Sequence, residues 1–253
     1  MTRNINAVFL DLGDTLRFVE KDQEHMARAR RKITEMVGTD EDPLKFYEKL
    51  NVRYKEYRRW AFEHLAEAPE AEIWCRWLAP DFPAEKIAPL GVELTYHFRQ
   101  ANGRRVVVDG GREVLEELQN RGYRLGIISN LISSSEIPEW LEKEDYARYF
   151  SSVILSSVTG RRKPDPVMYH EAARRAGTVP EACAYVGDNL ARDVTGARAA
   201  GFSMVVIFNT PEVIASAEVT DENRPDSIIH SFRQLLDIFP PLPGHTGKEI
   251  KKG

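Results

Sequence analysis

Cysteine is nearly absent: Cys75 and Cys183 are the only two in 253 residues. They stand far apart, each in an apolar-rich segment, which excludes a disulfide framework and a cysteine metal site and predicts two buried thiols in a reducing compartment. No stretch approaches 18 uninterrupted apolar residues, and no long apolar core precedes Asp11, so neither a membrane span nor a signal peptide is expected and the protein reads as cytoplasmic. The charge is nearly balanced, with 35 Lys and Arg against 39 Asp and Glu for a net −4, which provides no field for nucleic acid or an anionic membrane. There is no internal repeat. What is present is an ordinary globular composition, 42% hydrophobic and 29% charged, in a chain long enough for one large domain or a core with a smaller companion.

The stretch AVFLDLGDTL, residues 7–16, is the first strong local signal. Four apolar residues run into Asp11, and Gly13, Asp14 and Thr15 then break the pattern. This reads as a buried strand whose C-terminal end presents a carboxylate. Taken alone, Asp11 reads more readily as a turn cap than as a catalytic residue.

Residues 20–101 are helical in pattern. Asp42-Pro43 supplies a cap and a first-position proline, and Phe46, Leu50, Tyr54, Tyr57, Ala61 and Leu65 form one stripe. Trp60, Trp74 and Trp77, with Arg58 and Arg59 nearby, suit either a bundle interior or an aromatic and basic wall for a substrate, and helical spacing favours the interior. From Val106 the pattern alternates. Helices are expected after Asp109-Gly110-Gly111, around 137–146, after Lys163-Pro164-Asp165-Pro166 and up to Ala200. Strands are expected at 123–128, 152–155, 182–186, 203–208 and, at an edge, 227–230. Strands alternating with helices imply right-handed crossovers and a parallel sheet covered on both faces, with the site beyond the strands' carboxyl ends. Asp11, Ser129 and Asp188 all fall at such ends. Beyond Pro240 a loose tail is expected.

If Asp11, Ser129, Lys163, Asp188 and Asp193 are gathered, their chemistry is coherent. Several carboxylates suit a hard cation such as Mg²⁺, a lysine and a serine hydroxyl suit a phosphate, and one carboxylate is free to attack phosphorus.

These segments resemble the haloacid dehalogenase (HAD) superfamily: Asp11 with Thr15-Leu16, IISN ending at Asn130, GRRKPDP carrying Lys163, and VGDNLARDVTGARAAG carrying Asp188 and Asp193, in family order. The resemblance implies an α/β, Rossmann-like core over 1–18 and 105–240, an inserted helical cap of the C1 type over 19–104, and a flexible tail over 241–253. It implies a hydrolase, by family habit a phosphatase, acting on a small phosphorylated metabolite. Asp11 would be the nucleophile and, with the Gly13 carbonyl and Asp188, would hold Mg²⁺. Ser129 and the Asn130 N–H would bind phosphate, Lys163 would bridge nucleophile and phosphate, and Asp193 would support.

The sequence departs from the family at one place. Where family phosphatases carry a second Asp that protonates the leaving group, this chain has Gly13, with Asp14 one residue later. Such an acid is typically worth ~10² to 10⁴ in rate. Three readings follow: a phosphatase that recruits Asp14, a cap residue or the substrate as acid; phosphonatase-like or dehalogenase-like chemistry; or a non-catalytic phospholigand binder. The phosphonatase reading needs a cap lysine from among Lys21, Lys32, Lys45, Lys49, Lys55 and Lys86. The dehalogenase reading needs no metal, against which the intact Asp188 and Asp193 argue.

Overall fold

The apolar run before Asp11 is the first of eight strands among the described residues: β1 (Ala7–Leu10), β2 (Arg17–Glu20), β3 (Arg104–Val107), β4 (Arg124–Ser129), β5 (Phe150–Leu155), β6 (Cys183–Gly187), β7 (Met204–Phe208) and β8 (Ser227–Ile229). In the computed structural model, which describes residues 4–246, six of them form one sheet in the order β5-β4-β1-β6-β7-β8, every pairing parallel. All four residues of β1 are fully buried, as a continuous apolar run in a sheet covered on both faces requires. Alternate residues point to opposite faces. Val8 and Leu10 join Ile127 and Val186 in one core, over which the helix Gly111–Asn120 lays Val114, Leu115 and Leu118. Ala7 and Phe9 join Ile128 and Tyr185 in the other, covered by Met168, Tyr169 and Ala172 of the helix Pro166–Arg175. This is the expected α/β, Rossmann-like arrangement.

The order of connection creates the site. From β1 the chain moves to β4 and β5 on one side, then crosses to β6 on the other side of β1. Loops that leave neighbouring strands in opposite directions cannot close over the strand ends, and a crevice opens there.

The helical insertion has its own core, in which Phe46, Tyr57, Trp74, Leu78, Leu94 and Phe98 are buried together. Asp42 caps the helix Pro43–His64, accepting from the Leu44 and Lys45 N–H groups at 3.1 and 3.0 Å, and Pro43 follows where no donor is needed. Trp74 Nε1 donates to Thr95 Oγ1 at 2.9 Å. Trp60 and Trp77 pack partly on the same core, so the tryptophans build the interior. The stripe is less complete than expected, because Tyr54 and Leu65 are half-buried. Cys75 is half-buried too, where burial was expected. Trp74 takes the inward position, and the next residue of the wide-turned helix Ile73–Leu78 is rotated away from it. Cys183, at the start of β6, is buried.

Both ends of the insertion pass through an antiparallel ribbon, β2 with β3, running from Arg17 opposite Val107 to Glu20 opposite Arg104. Its two strands are short and far apart in sequence, so no local pattern announced it. A second attachment is polar. The buried Glu67 carboxylate accepts from Tyr57 Oη of the insertion and from Ser156 Oγ at 2.5 Å, and it pairs with Arg162; the last two belong to the loop after β5. Glu70 accepts from Ser134 N–H at 3.1 Å and Ser134 Oγ at 2.6 Å, in the loop after β4. The insertion is thereby held beside the sheet's C-terminal edge.

The first part of the expected loose tail is docked. Leu242 N–H donates to the Arg121 carbonyl at 2.9 Å and Leu242 packs on the sheet's core, while residues 247–253 lie outside the described residues. No helix among the described residues is long and apolar enough to cross a membrane.

Candidate active site

Asp11 lies one residue past β1, and its N–H donates to the Val186 carbonyl at 2.8 Å, which keeps it in step with β6. It is 3% exposed. Its Oδ1 accepts from the Leu12 N–H at 2.7 Å and from Ser129 Oγ, at the end of β4, at 2.8 Å. Its Oδ2 meets Lys163 Nζ at 2.7 Å and Arg192 Nη2 at 3.0 Å. Every lone pair of a buried carboxylate needs such a partner, and here two partners are cations.

Lys163 is wholly buried, which is tolerable only with its charge matched. Besides Asp11, its Nζ lies 3.0 Å from Asp193 Oδ1 and donates to Tyr185 Oη at 2.6 Å; Tyr185 in turn donates to the Ile128 carbonyl at 3.0 Å. Asn130 holds the lysine's backbone from both sides: its Nδ2 donates to the Lys163 carbonyl at 3.0 Å, and its Oδ1 accepts from the Lys163 N–H at 2.8 Å. The Asn130 side chain thus positions the lysine, a role the sequence motif did not reveal.

Asp193 is buried and accepts from the Asn189 N–H at 3.1 Å. Gly187, at the end of β6, makes room for it, since a Cβ there would lie 2.4 Å from Asp193 Oδ2. Burial alone would push the Asp193 carboxyl up, but Lys163 and Arg192 overcome it and hold the group below the usual carboxylate range. Asp188 goes the other way. Burial first, then the charges of Asp11 and Asp193, push its carboxyl up to about 7. The three carboxylates offer ligand atoms within 4.8 Å of one another, an all-oxygen donor set of the kind hard divalent cations take, and such a cation would offset the repulsion among them.

Arg192 was not among the expected site residues. Its Nη2 lies 3.0 Å from both Asp11 Oδ2 and Asp188 Oδ1, and its Nε lies 3.1 Å from Asp193 Oδ1, so one guanidinium ties the three carboxylates together. The only sequence signal was its position four residues after Asp188, one helical turn away.

Gly13 and Asp14 sit on the loop after β1 and, with Ser129 and Asn130, line a cavity of about 330 Å³. Asp14 has a left-handed φ of 54°, is exposed, and makes no ion pair with the cations around Asp11 among the described residues. The fold therefore gathers Asp11, Ser129, Lys163, Asp188 and Asp193 in one cluster, brings Asn130 in through the Lys163 backbone, and leaves Gly13 and Asp14 on the cavity wall.

The profile of the haloacid dehalogenase-like hydrolases matches residues 5–201. The chain belongs to this family. As a HAD hydrolase it is 30% identical over 242 residues to the glyceraldehyde 3-phosphate phosphatase of Methanopyrus kandleri, covering 94% of this chain and 98% of that one. It is 29% identical over 260 residues to the protein of the same name from Pyrococcus furiosus, covering 98% of each. Among solved structures, the 2-haloacid dehalogenase from Pseudomonas syringae pv. Tomato DC3000 superposes with a TM-score of 0.65 at 22% identity, over 92% of this chain and 97% of that one, a likeness of HAD fold.

Proposed function

We propose that this HAD hydrolase is a Mg²⁺-dependent phosphoric monoester hydrolase acting on a small phosphorylated metabolite through an aspartyl phosphate on Asp11. The observation that carries the reading is the buried Asp11 carboxylate, flanked by Ser129 and Lys163 and grouped with Asp188 and Asp193 at the switch point of the sheet. The relatives named as phosphatases support it. A Mg²⁺ ion held by Asp11 and Asp188, with the Gly13 carbonyl, would supply the charge that lets a phosphate dianion approach a carboxylate. Ser129 and the Asn130 N–H would hold phosphoryl oxygens. An Asp11 oxygen attacks phosphorus as the bond to the ester oxygen breaks, the departing alkoxide takes its proton from solvent because Gly13 offers none, and water then attacks the phosphorus of the acyl phosphate, giving its proton to solvent and restoring Asp11. Lys163, anchored by Asp193 and Tyr185, offsets the negative charge that gathers on Asp11 and phosphate. Phosphate release from a panel of phosphorylated metabolites with and without Mg²⁺ tests the reading; release from none of them sinks it. The phosphonatase alternative has weaker support: among the described residues no lysine of the insertion lines the cavity beside Ser129, and Lys55 lines only the cavity that adjoins it.

The acid that Gly13 lacks can be restored. A Cβ added at Gly13 meets nothing within 4 Å, and its φ lies outside the left-handed region, so Asp fits there without strain. Gly13→Asp is expected to raise turnover of alkyl phosphates by ~10²-fold, and that of p-nitrophenyl phosphate much less, because a nitrophenolate leaves without a proton. Equal gains on both esters, or none on either, would remove the missing acid as the explanation.

Arg192 bears on the metal. Its guanidinium holds the Asp11 and Asp188 oxygens that Mg²⁺ would take, so the two cations compete. Arg192→Gln is expected to lower the melting temperature of the metal-free protein and to widen the rise that Mg²⁺ produces. A rise no wider than that of the unaltered protein argues against competition.

A further inference from the structure

Four arginines, Arg17, Arg58, Arg99 and Arg105, line the cavity that Ser129 and Asn130 also line. Lys163, Ser129 and the three carboxylates account for the reacting phosphoryl group, and none of them needs these four. The arginines come from the other side: Arg58 and Arg99 from helices of the insertion, Arg17 and Arg105 from the ribbon. Arg58, Arg99 and Arg105 also line an adjoining cavity of about 410 Å³ that reaches away from Ser129, past Tyr54 and Phe98. They therefore sit where the far end of a substrate would lie.

Their charge is not balanced by the protein. Glu136 faces Arg17 at 3.3 Å and Arg105 at 4.0 Å and also pairs with Arg99, so one buried carboxylate serves three guanidiniums. Asp14 stands on the cavity wall; Glu67 and Glu144 act on Arg99 and Arg17 from further off, and Glu67 is already paired with Arg162. Burial first, then repulsion from Arg99, push the Arg105 guanidinium down to about 10, a mark of crowded cations. Arg17 is only 7% exposed, and its Nε has no hydrogen-bond partner among the described residues. Arg58 is exposed and has no ion pair or hydrogen bond among the described residues. A buried donor without a partner and three guanidiniums sharing one buried carboxylate are costly unless a ligand completes them.

We infer that the substrate carries a second anionic group, a carboxylate or another phosphate, at the end remote from the reacting phosphate, and that Arg58 and Arg105 with Arg17 and Arg99 bind it. This rests on the phosphate-ester reading for the other end of the molecule. A tail ending in a hydroxyl or an aldehyde would leave the guanidiniums uncompensated, whereas a planar carboxylate or a phosphate accepts from a guanidinium fork through two oxygens.

The test uses non-hydrolysable phosphonates, so that it reads binding whether or not the protein turns over esters. Calorimetric titration of the Mg²⁺-loaded protein compares 3-phosphonopropionate and propane-1,3-diphosphonate with propylphosphonate, which has the same chain but a methyl end. One or both of the ligands with an anionic tail are expected to bind at least ~10-fold tighter than propylphosphonate. Which of them does so tells carboxylate from phosphate. Arg58→Gln is expected to pull that ratio towards one, and Arg58→Lys to keep part of it; Arg58 is exposed, so these variants should fold. Equal affinities for all three ligands, no binding of any, or a ratio that Arg58→Gln leaves intact would overturn the inference. If the ratio holds while no phosphate ester is hydrolysed, the second anion stands and the phosphatase reading falls.

Discussion

Asp11→Asn is expected to lower phosphate release from p-nitrophenyl phosphate by at least ~10³-fold while leaving a folded protein. The substitution is nearly isosteric, so Leu12 N–H and Ser129 Oγ keep an oxygen to donate to. Lys163 keeps Asp193, and Arg192 keeps Asp188 and Asp193, so neither cation is stranded. What is lost is the chemistry, because a carboxamide is too weak a nucleophile to form an acyl phosphate and brings N–H donors towards two cations. Steady-state release assays beside a circular dichroism spectrum check both halves. Unchanged turnover with an unchanged spectrum would remove Asp11 from the nucleophile's place.

Glu136→Gln is expected to destabilise the protein by ~3–5 kcal/mol, although it lies outside the cluster around Asp11. Glu136 opens the helix Glu136–Lys143 and is 3% exposed. Its carboxylate is the shared partner of Arg17, Arg99 and Arg105, and Arg17 also lies over the Trp140 ring with its guanidinium carbon 4.4 Å from the centroid. Replacing the charge with an amide leaves three crowded guanidiniums at the junction of ribbon, insertion and sheet. Burial opposes ionisation of Glu136, yet Arg99, Arg105 and Arg17 hold its carboxyl at about 2, below the ordinary 4.5. A carboxyl whose folded pKa is depressed stabilises the protein above the unfolded pKa. That contribution, roughly 3 kcal/mol, should be complete above pH 4.5 and fade as pH falls towards about 2. Urea unfolding of both proteins between pH 7 and pH 3 checks the magnitude and the sign together. A difference under about 1 kcal/mol at pH 7, or one that grows on acidification, would contradict it.

The legible parts of the site were those whose chemistry is tied to a strand end. Asp11, Ser129 and Asp188 follow apolar runs that can only be buried strands, and parallel strands present their C-terminal residues along one edge, so convergence followed from pattern. Lys163 and Asp193 were legible through motif spacing. Asn130 also follows a strand, but its side chain's grip on the Lys163 backbone needed the distance between two loops. Arg192 was passed over because a charge on a helix's first turn is ordinarily solvated, and only the fold shows three carboxylates waiting for it. Arg58 was weighed with the tryptophans as a possible wall. The structure separates them: the tryptophans pack inward, while Arg58, on the other side of its helix, looks into the cavity.

Hydrophobic periodicity, strand-terminal carboxylates and the order of the motifs determined by themselves the α/β class, the helical insertion and the residues gathered at the crevice, because period and burial are local consequences of side-chain type. Only the tertiary structure decided the β2–β3 ribbon, the docking of Glu67 and Glu70, the guanidinium among the carboxylates and the arginine wall around Glu136. Those depend on which charges from distant segments end up within a few ångströms of one another, and electrostatic energy is set by that distance and by burial, neither of which is written in local spacing.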